Sequence, residues 1–562
     1  MLKEIAISVQ SFETLIRNSF FYVDKTLFIK DWYRSGDSVT LITRPRRFGK
    51  TLTMSMMNCF FSVRNAGKSG LFTDLEISKY AEFMEMQGTF PVISFSLANI
   101  KPQTFDSFLA GMSAEIRNIY RSFKIEGIFN NILDEDRKYI DQIILDEQRG
   151  PQGEIRPLSA DTMIFSMNRL CGILHQVYGR KAMIFLDEYD TPLLEAWLNG
   201  YWEQASGFIR SFFNSTFKTN EYLDRALLTG ITRIAKESIF SDLNNLAVYS
   251  VSSDRYSDVF GFTEEEVFAA LDEYELSSEK DNVRKWYDGF TFGSRKDIYN
   301  PWSIINYLKD RSLETYWANT SSGSLIDSLI RNGDEALKTE FEELLKGNTV
   351  DADLNEGLIF QDLTEDSQAV WSLMLAAGYI KAVSRINQSY TLKITNHEIQ
   401  IALESMVRRW FSKAKFQYSG FIRSLTDGDT EAMNQYMNGI AREVFSSFDS
   451  GRNPENFYHG FVLGLVVALQ GRYFIQSNKE SGYGRYDILM EPLHDCDPAI
   501  IIEFKVYDAA HEQTLEQTAE RALKQIEARH YDAILTGKNI SASRIVKYGF
   551  AFRGKEILIA SR

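Results

Sequence analysis

The sequence predicts an α/β protein of several domains, and three stretches carry that prediction. Residues 39–51, Val-Thr-Leu-Ile-Thr-Arg-Pro-Arg-Arg-Phe-Gly-Lys-Thr, are an apolar strand running into Gly-Lys-Thr and then a helix-prone segment, Leu52 to Phe60. Residues 181–192, Lys-Ala-Met-Ile-Phe-Leu-Asp-Glu-Tyr-Asp-Thr-Pro, are a second apolar strand, ending in adjacent carboxylates. Helical and strand-like segments alternate between the two, which implies a parallel sheet. A third apolar strand, Ala499 to Val506, lies far downstream and carries charges of its own. A chain of 562 residues exceeds what one hydrophobic core serves. The expected order is a nucleotide-binding sheet domain over 1–255, a helical lid over 256–345, a winged-helix-like and helical coupling region over 346–445, and a C-terminal α/β domain over 446–562.

The first stretch has the form of a phosphate-cradling loop. Backbone N–H groups at a helix N-terminus hold phosphates, Lys50 reaches the terminal ones, and the Thr51 hydroxyl binds Mg²⁺. The full pattern GxxxxGK[ST] has glycine where this chain has Arg44, followed by Pro45, so the loop must enter with ordinary backbone dihedrals. Arg44, Arg46 and Arg47 add positive charge beside the expected phosphates, with Phe48 and Gly49 completing the turn. A basic strand-to-helix turn with no ligand would look similar.

The second stretch decides between these. Asp187 would hold the Mg²⁺ shell and Glu188 would orient or deprotonate an attacking water, as phosphoryl transfer requires. Apolar strands ending in acids also occur as capped core strands, but two such motifs in this order point to a P-loop NTPase sheet. The next strand, Ala226 to Thr229, sets Thr229 where a polar sensor residue would follow. Arg233 or Lys236 would then reach the terminal phosphate, or belong to a solvated turn.

Beyond the sheet, Phe260-Gly-Phe-Thr-Glu-Glu-Glu-Val267 contains a capping-box helix start at Thr263. Trp286-Tyr-Asp-Gly-Phe-Thr-Phe-Gly293 and Tyr299-Asn-Pro-Trp-Ser-Ile304 are aromatic-rich turns of the lid, expected to close a core without a catalytic part. Tyr379 to Ser384, a turn at Asn387 to Ser389, and Tyr390 to Ile394 read as a hairpin between helices, the pattern of a winged-helix module. Its acidic character favours a coupling role over DNA reading. The polar stretch Ser446 to Asn456 marks the last boundary.

After that boundary, Arg485-Tyr-Asp-Ile-Leu-Met490 is a short strand carrying Asp487, and the strand at 499–506 carries Glu503 and Lys505. Residues i and i+2 share a strand face, so Glu503 and Lys505 point together, and a hairpin partner can bring Asp487 beside them. Two carboxylates and an ammonium suit phosphodiester hydrolysis. Asp487 and Glu503 supply hard oxygen ligands for Mg²⁺, and Lys505 stabilises charge building on the phosphate. Charges at i and i+2 usually mark a solvated strand face. Here the flanking residues are apolar on both faces, which places the strand centrally with its charges at a cleft-facing end. Glu480 or His459 would complete a metal shell, and Gln525 and Tyr531 would orient substrate.

Composition bounds these expectations. Hydrophobic content of 44%, with 40 Phe and only 10 Pro, supplies ample core and leaves little room for long disordered linkers. The formal net charge of −14 opposes indiscriminate coating of nucleic acid, although the stretch after about residue 450 is close to neutral. Cys59, Cys171 and Cys496 lack the paired spacing of a zinc or disulfide framework and fit a reducing compartment. The first residues, Met-Leu-Lys-Glu-Ile-Ala, lack the uninterrupted apolar segment of a secretory signal, so export is not expected, and the apolar run Gly460 to Leu469 is too short to span a bilayer. A cytoplasmic protein without membrane association is expected.

With these residues together, the chain resembles the bacterial and archaeal AAA-ATPase-like proteins that carry a C-terminal nuclease domain of the PD-(D/E)XK, or restriction-endonuclease-like, superfamily. The resemblance covers nearly the whole length. It rests on Tyr22-Val-Asp-Lys-Thr26, Arg44-Pro-Arg-Arg-Phe-Gly-Lys-Thr51, Leu186-Asp-Glu-Tyr-Asp-Thr-Pro192, the segment Thr229 to Asn245, Trp286-Tyr-Asp-Gly289, Asn300-Pro-Trp302, and Ser481-Gly-Tyr-Gly-Arg-Tyr-Asp487 with Glu503-Phe-Lys505. That family's phosphate loop has the same form, so Arg44 in place of glycine is no defect of this chain. Tyr486 stands where the superfamily name has proline.

The resemblance implies ATP and Mg²⁺ as cofactors, with Mn²⁺ an alternative at the C-terminal site, and nucleic acid, DNA foremost, as partner. It also leaves room for a homo-oligomer in which a neighbouring copy supplies an arginine, with Arg47, Arg225 and Arg233 unranked. Two functions follow from it: an ATP-regulated, Mg²⁺-dependent nuclease, or a signalling and assembly ATPase whose C-terminal domain binds without cleaving.

Overall fold

The computed structural model describes residues 2–125, 127–145, 156–232, 239–240, 243–317, 324–354, 369–387, 389–412, 418–444, 462, 466, 469, 471–481, 484–509, 511–538, 540–553 and 556–562. The chain folds into two compact units, one of Met1–Leu329 with Thr349–Ile399 and one of Ile330–Asn348 with Gln400–Arg562. The expected coupling region 346–445 is thus divided between them.

In the first unit, five strands form one parallel sheet: β1 (Val39–Thr43), β2 (Val92–Ser96), β3 (Ala182–Asp187), β4 (Leu223–Gly230) and β5 (Leu246–Tyr249), in the order β2-β3-β4-β1-β5. All residues of β1 and β3 are buried. Their continuous burial, with no polar–apolar alternation, reflects a sheet covered on both faces. β4 lies between the two motif strands, pairing Thr43 with Gly230 on one side and Leu186 with Leu228 on the other. This register brings the carboxyl ends of β1, β3 and β4 to one edge of the sheet. That is where ligands sit in open α/β sheets.

A small antiparallel sheet, β6 (Phe262–Thr263), β8 (Arg295–Tyr299) and β7 (Phe290–Phe292), lies in the stretch expected as a lid. The helix Glu264–Glu273 starts with the predicted capping box, in which Thr263 and Glu266 each accept from the other's backbone N–H. The helix Pro301–Asp310 is capped by Asn300, whose side chain accepts from Trp302 and Ser303, with proline at its first position. β9 (Val350–Asp353), β10 (Ile380–Ile386) and β11 (Ser389–Ile394) make a third sheet, ordered β10-β11-β9. The predicted hairpin is its β10–β11 pair, followed by the helix His397–Ser412.

In the second unit, β12 (Tyr473–Ser481), β13 (Gly484–Pro492), β14 (Ala499–Val506), β15 (Ile545–Arg553) and β16 (Glu556–Ser561) form a mixed sheet in chain order. β14 and β15 are parallel, and the helix Leu515–Ala528 connects them, packing its apolar face on both strands. β14 is therefore the central strand, as its apolar flanks predict. Its first six residues are buried, and Lys505 and Val506 are half-buried. The edge strand β16 is closed by the helix Thr430–Val444. Asn434 and Asn438 each exchange two hydrogen bonds with the backbone of Ile559 and Ile557. A side-chain amide has one donor side and one acceptor side, so an asparagine mimics a neighbouring strand and blunts the edge. No described helix is long and apolar enough to cross a membrane.

Candidate active sites

Lys50 opens the helix Lys50–Phe61, and Gly49 precedes it with φ of 81°, a left-handed turn that glycine adopts without steric cost. Lys50 is only 5% exposed, and its ammonium donates to the carbonyls of Arg44 and Pro45 at 2.9 and 2.8 Å. Burial pushes its pKa down, opposed by the nearby carboxylates of Asp187, Glu188 and Asp190. The ammonium is thus held inside the loop, tethered to neutral carbonyls that a phosphate would replace as stronger acceptors.

At the end of β3, Asp187 accepts on one oxygen from the Thr51 hydroxyl at 2.6 Å and on the other from the Thr229 hydroxyl. The phosphate-loop helix and two strands thus contribute to one polar cluster. Thr51 and Asp187 are the residues expected to share a Mg²⁺ shell, and their oxygen donors suit that hard cation. Glu188 follows with φ of 51°, a left-handed conformation uncommon outside glycine, and accepts from the Thr191 hydroxyl at 3.2 Å. Asp190 secures the loop after β4, accepting from the backbone N–H groups of Ile231 and Thr232 and from the Thr232 hydroxyl. Arg233 and Lys236 lie outside the described residues.

Arg44 departs from expectation. Its guanidinium is fully buried and turned away from the loop, donating to the carbonyls of Thr43, Tyr249, Ser250 and Tyr256. It packs over Phe292 at 4.8 Å. Burial draws its pKa down to about 9, and the four acceptors compensate the charge. Arg44 is a strut between the loop and the chain leaving β5, not a phosphate ligand. Arg47 stacks over Trp302 at 4.2 Å, and its own φ is 65°.

The aromatic turns Trp286 to Gly293 and Tyr299 to Ile304 also touch the loop. Phe48 packs edge-on against Phe290 and Phe292, and the Arg46 carbonyl accepts from the Trp317 indole N–H at 2.9 Å and the Asn300 amide at 3.4 Å. Gly378, with φ of 86°, sits so close that a Cβ there would lie 3.0 Å from Pro45. A cavity of about 790 Å³ opens at this edge, lined by Arg46 to Thr53, Glu188, Asp190, Thr232 and Trp302. It continues between the N-terminal segment Ala6 to Gln10 and the lid residues Phe262, Pro301 and Ile305.

The second unit holds its own cluster. The β13–β14 ladder pairs Ile488 with Ile502, and just beyond it the Asp487 carboxylate accepts from the Phe504 N–H at 2.7 Å. Glu503, 1% exposed, receives the Lys505 ammonium at 3.0 Å. Gln525, on the helix Leu515–Ala528, donates to the same Glu503 oxygen, and its amide also lies 3.4 Å from the Tyr531 hydroxyl. Burial raises the Tyr531 pKa, and the charges of Glu503, Asp487 and Lys505 all act on it, so the four groups are near neighbours. Asp487 and Glu503 offer oxygen donors for Mg²⁺, with remaining positions open to water or phosphate oxygens. The side chain of Glu480, and all of His459, lie outside the described residues.

Residues 6–240 match the family described as predicted AAA-ATPase, and residues 453–562 match the PD-(D/E)XK nuclease superfamily. The chain therefore joins an AAA-ATPase-like domain to a PD-(D/E)XK domain. It is also similar to an uncharacterized protein in the vnfD 5' region of Azotobacter chroococcum, with 25% identity over 416 residues, 73% of this chain and 70% of that protein. The phosphate loop and strands β1 to β4 fall within the AAA-ATPase-like match, β5 lies just beyond it, and Asp487, Glu503 and Lys505 fall in the PD-(D/E)XK domain.

Proposed function

We propose that this AAA-ATPase-like PD-(D/E)XK protein binds and hydrolyses ATP with Mg²⁺, and that its C-terminal domain cleaves phosphodiester bonds of nucleic acid, DNA foremost, under control of the nucleotide state. The observation that carries this is the presence of two clusters of carboxylate, hydroxyl and ammonium groups in one chain. Thr51, Asp187, Thr229 and Glu188 meet beside Lys50 at the phosphate loop. Asp487, Glu503 and Lys505 meet at the end of β14.

At the first cluster, backbone N–H groups after Gly49 and the Lys50 ammonium hold the phosphates, and the apolar end of the cavity, around Ile7, Val9, Pro301 and Ile305, takes the base. Thr51 and Asp187 would hold a Mg²⁺, which would supply positive charge beside the phosphates. Glu188 accepts a proton from the attacking water. At the second cluster, Asp487 and Glu503 hold the divalent ion, which when bound supplies an acidified water. Lys505 donates to the phosphate oxygen on which charge accumulates, and Gln525 keeps Glu503 turned toward the site.

The test incubates the purified protein with plasmid, linear duplex, single-stranded DNA and RNA, with Mg²⁺ or Mn²⁺, with and without ATP, beside Lys50→Ala and Lys505→Ala. Cleavage lost in Lys505→Ala and altered by ATP or by Lys50→Ala is the expected result. ATP turnover without cleavage in any condition would replace this account with an ATPase whose C-terminal domain only binds.

A further inference from the structure

The carbonyls that lead into the phosphate loop are all taken by side chains. Thr43 C=O accepts from Arg44, the Arg44 and Pro45 carbonyls from Lys50, and the Arg46 carbonyl from Trp317 and Asn300. With these carbonyls restrained, the backbone of the loop is held in one conformation, which is the preorganisation that anion binding needs. Three of these donors come from the phosphate-binding domain or from the cap of a lid helix. Trp317 comes from an irregular segment after that helix, and nothing in local sequence requires it there.

What holds Trp317 is informative. Its ring is 1% exposed, between Phe290 and Tyr379. Its backbone N–H donates at 2.5 Å to Glu398, whose other oxygen accepts from the Ser303 hydroxyl at 2.8 Å. Glu398 is also 1% exposed, a buried carboxylate in the first turn of the helix His397–Ser412. A buried carboxylate is costly unless its hydrogen bonds are kept, so moving Trp317 must move Glu398 or break a charge-assisted bond. The longer segment of the second unit, Gln400–Arg562, begins within that same helix.

We infer that Trp317 is a positioning residue of the nucleotide site and that Trp317 with Glu398 links occupancy of the phosphate loop to the helix His397–Ser412, along which the chain passes from its first unit into the longer segment of its second. The inference rests on the nucleotide-binding role proposed above and names the regulation of that site. When Lys50 leaves the Arg44 and Pro45 carbonyls for a phosphate, the adjoining Arg46 peptide shifts its hydrogen bond to Trp317. The Trp317 backbone then pulls on Glu398.

Hydrogen exchange over residues 397–412, with and without a non-hydrolysable ATP analogue and Mg²⁺, tests this in the full chain. In wild type the analogue changes exchange in that helix. Trp317→Phe keeps the ring packing and loses the indole donor, so analogue affinity falls about three- to tenfold, the worth of one hydrogen bond. Glu398→Gln binds the analogue within about twofold of wild type and loses most of the exchange response, because the charge-assisted bond from the Trp317 N–H becomes a weaker neutral one and Ser303 must turn from donor to acceptor. Ser303→Ala, which removes one donor to Glu398, weakens the same response and serves if Glu398→Gln does not fold. Analogue binding with no exchange change at 397–412, or an undiminished response in both Glu398→Gln and Ser303→Ala, would overturn the link. Absence of nucleotide binding in wild type would instead overturn the proposed function and remove the ground beneath this inference.

Discussion

The Thr51 hydroxyl donates to the Asp187 carboxylate at 2.6 Å, joining the first turn of the phosphate-loop helix to the end of a strand that is not its sheet neighbour. β4 stands between β1 and β3 and adds the Thr229 hydroxyl to the same carboxylate. A cation of hard character placed here would meet Asp187 oxygens already oriented by two hydroxyls.

Lys50→Ala removes the only ammonium on the loop helix's first turn and leaves the Arg44 and Pro45 carbonyls without its two bonds. Affinity for a fluorescent ATP analogue is expected to fall by at least about tenfold, since hydrogen bonds to charged groups contribute roughly 1.5–3 kcal/mol each. Unchanged affinity by titration calorimetry would remove Lys50 from the phosphate site.

Glu188→Gln keeps the side-chain shape and the contact with Thr191 while losing the proton acceptor. ATP turnover is expected to drop by about 10²- to 10⁴-fold with analogue binding retained, the range for loss of general base catalysis. Turnover within twofold of wild type, measured as phosphate release, would assign the base elsewhere.

Gln525→Leu separates a supporting residue from a metal ligand. Gln525 shares a Glu503 oxygen with Lys505, so its loss should lower divalent-ion affinity or cleavage about 10- to 100-fold, the usual cost of removing a partner that orients a ligand. Glu503→Gln should abolish both. Equal effects in the two variants would make Gln525 itself part of the reacting site.

Asp288, in the Trp-Tyr-Asp-Gly turn, carries a pH signature. Burial raises its pKa to about 6 from an ordinary 3.8, with Asp297 adding to the rise and Lys381 opposing it, and one of its oxygens is buried without a hydrogen-bond partner. The folded state therefore binds this proton more tightly than the unfolded chain. Its contribution is fully present below about pH 3.8 and is lost as pH rises to about 6. Asp288→Asn should raise the melting temperature at pH 7, with the difference shrinking on acidification through that window. A variant less stable than wild type at pH 7, by differential scanning fluorimetry, would contradict the assignment.

Much of this was legible in the sequence because spacing along one element fixes geometry. Glu503 and Lys505 are two apart on a strand, so their ion pair follows from the period of the pleat, and the unbroken apolar run of Ala182 to Leu186 announces a buried strand ending in Asp187. What spacing cannot give is where a long side chain turns. Arg44 read as a phosphate ligand because of its neighbours, yet carbonyls more than 200 residues away in sequence claim it. Trp317 and Glu398 left no local signal, since their contacts arise only when lid and hairpin close on the loop. Gln525 lies 22 residues from Glu503, and only the β14–helix–β15 connection brings them together.

The most direct test of nucleotide control is the single-turnover cleavage rate with Mg²⁺, measured without nucleotide, with ATP and with a non-hydrolysable analogue, in wild type and Glu188→Gln. The account predicts that the rate with analogue differs from the rate without nucleotide, and that Glu188→Gln with ATP behaves as wild type with analogue, because both hold the loop occupied. Cleavage at one rate in every nucleotide condition, by a protein that demonstrably binds ATP, would contradict it.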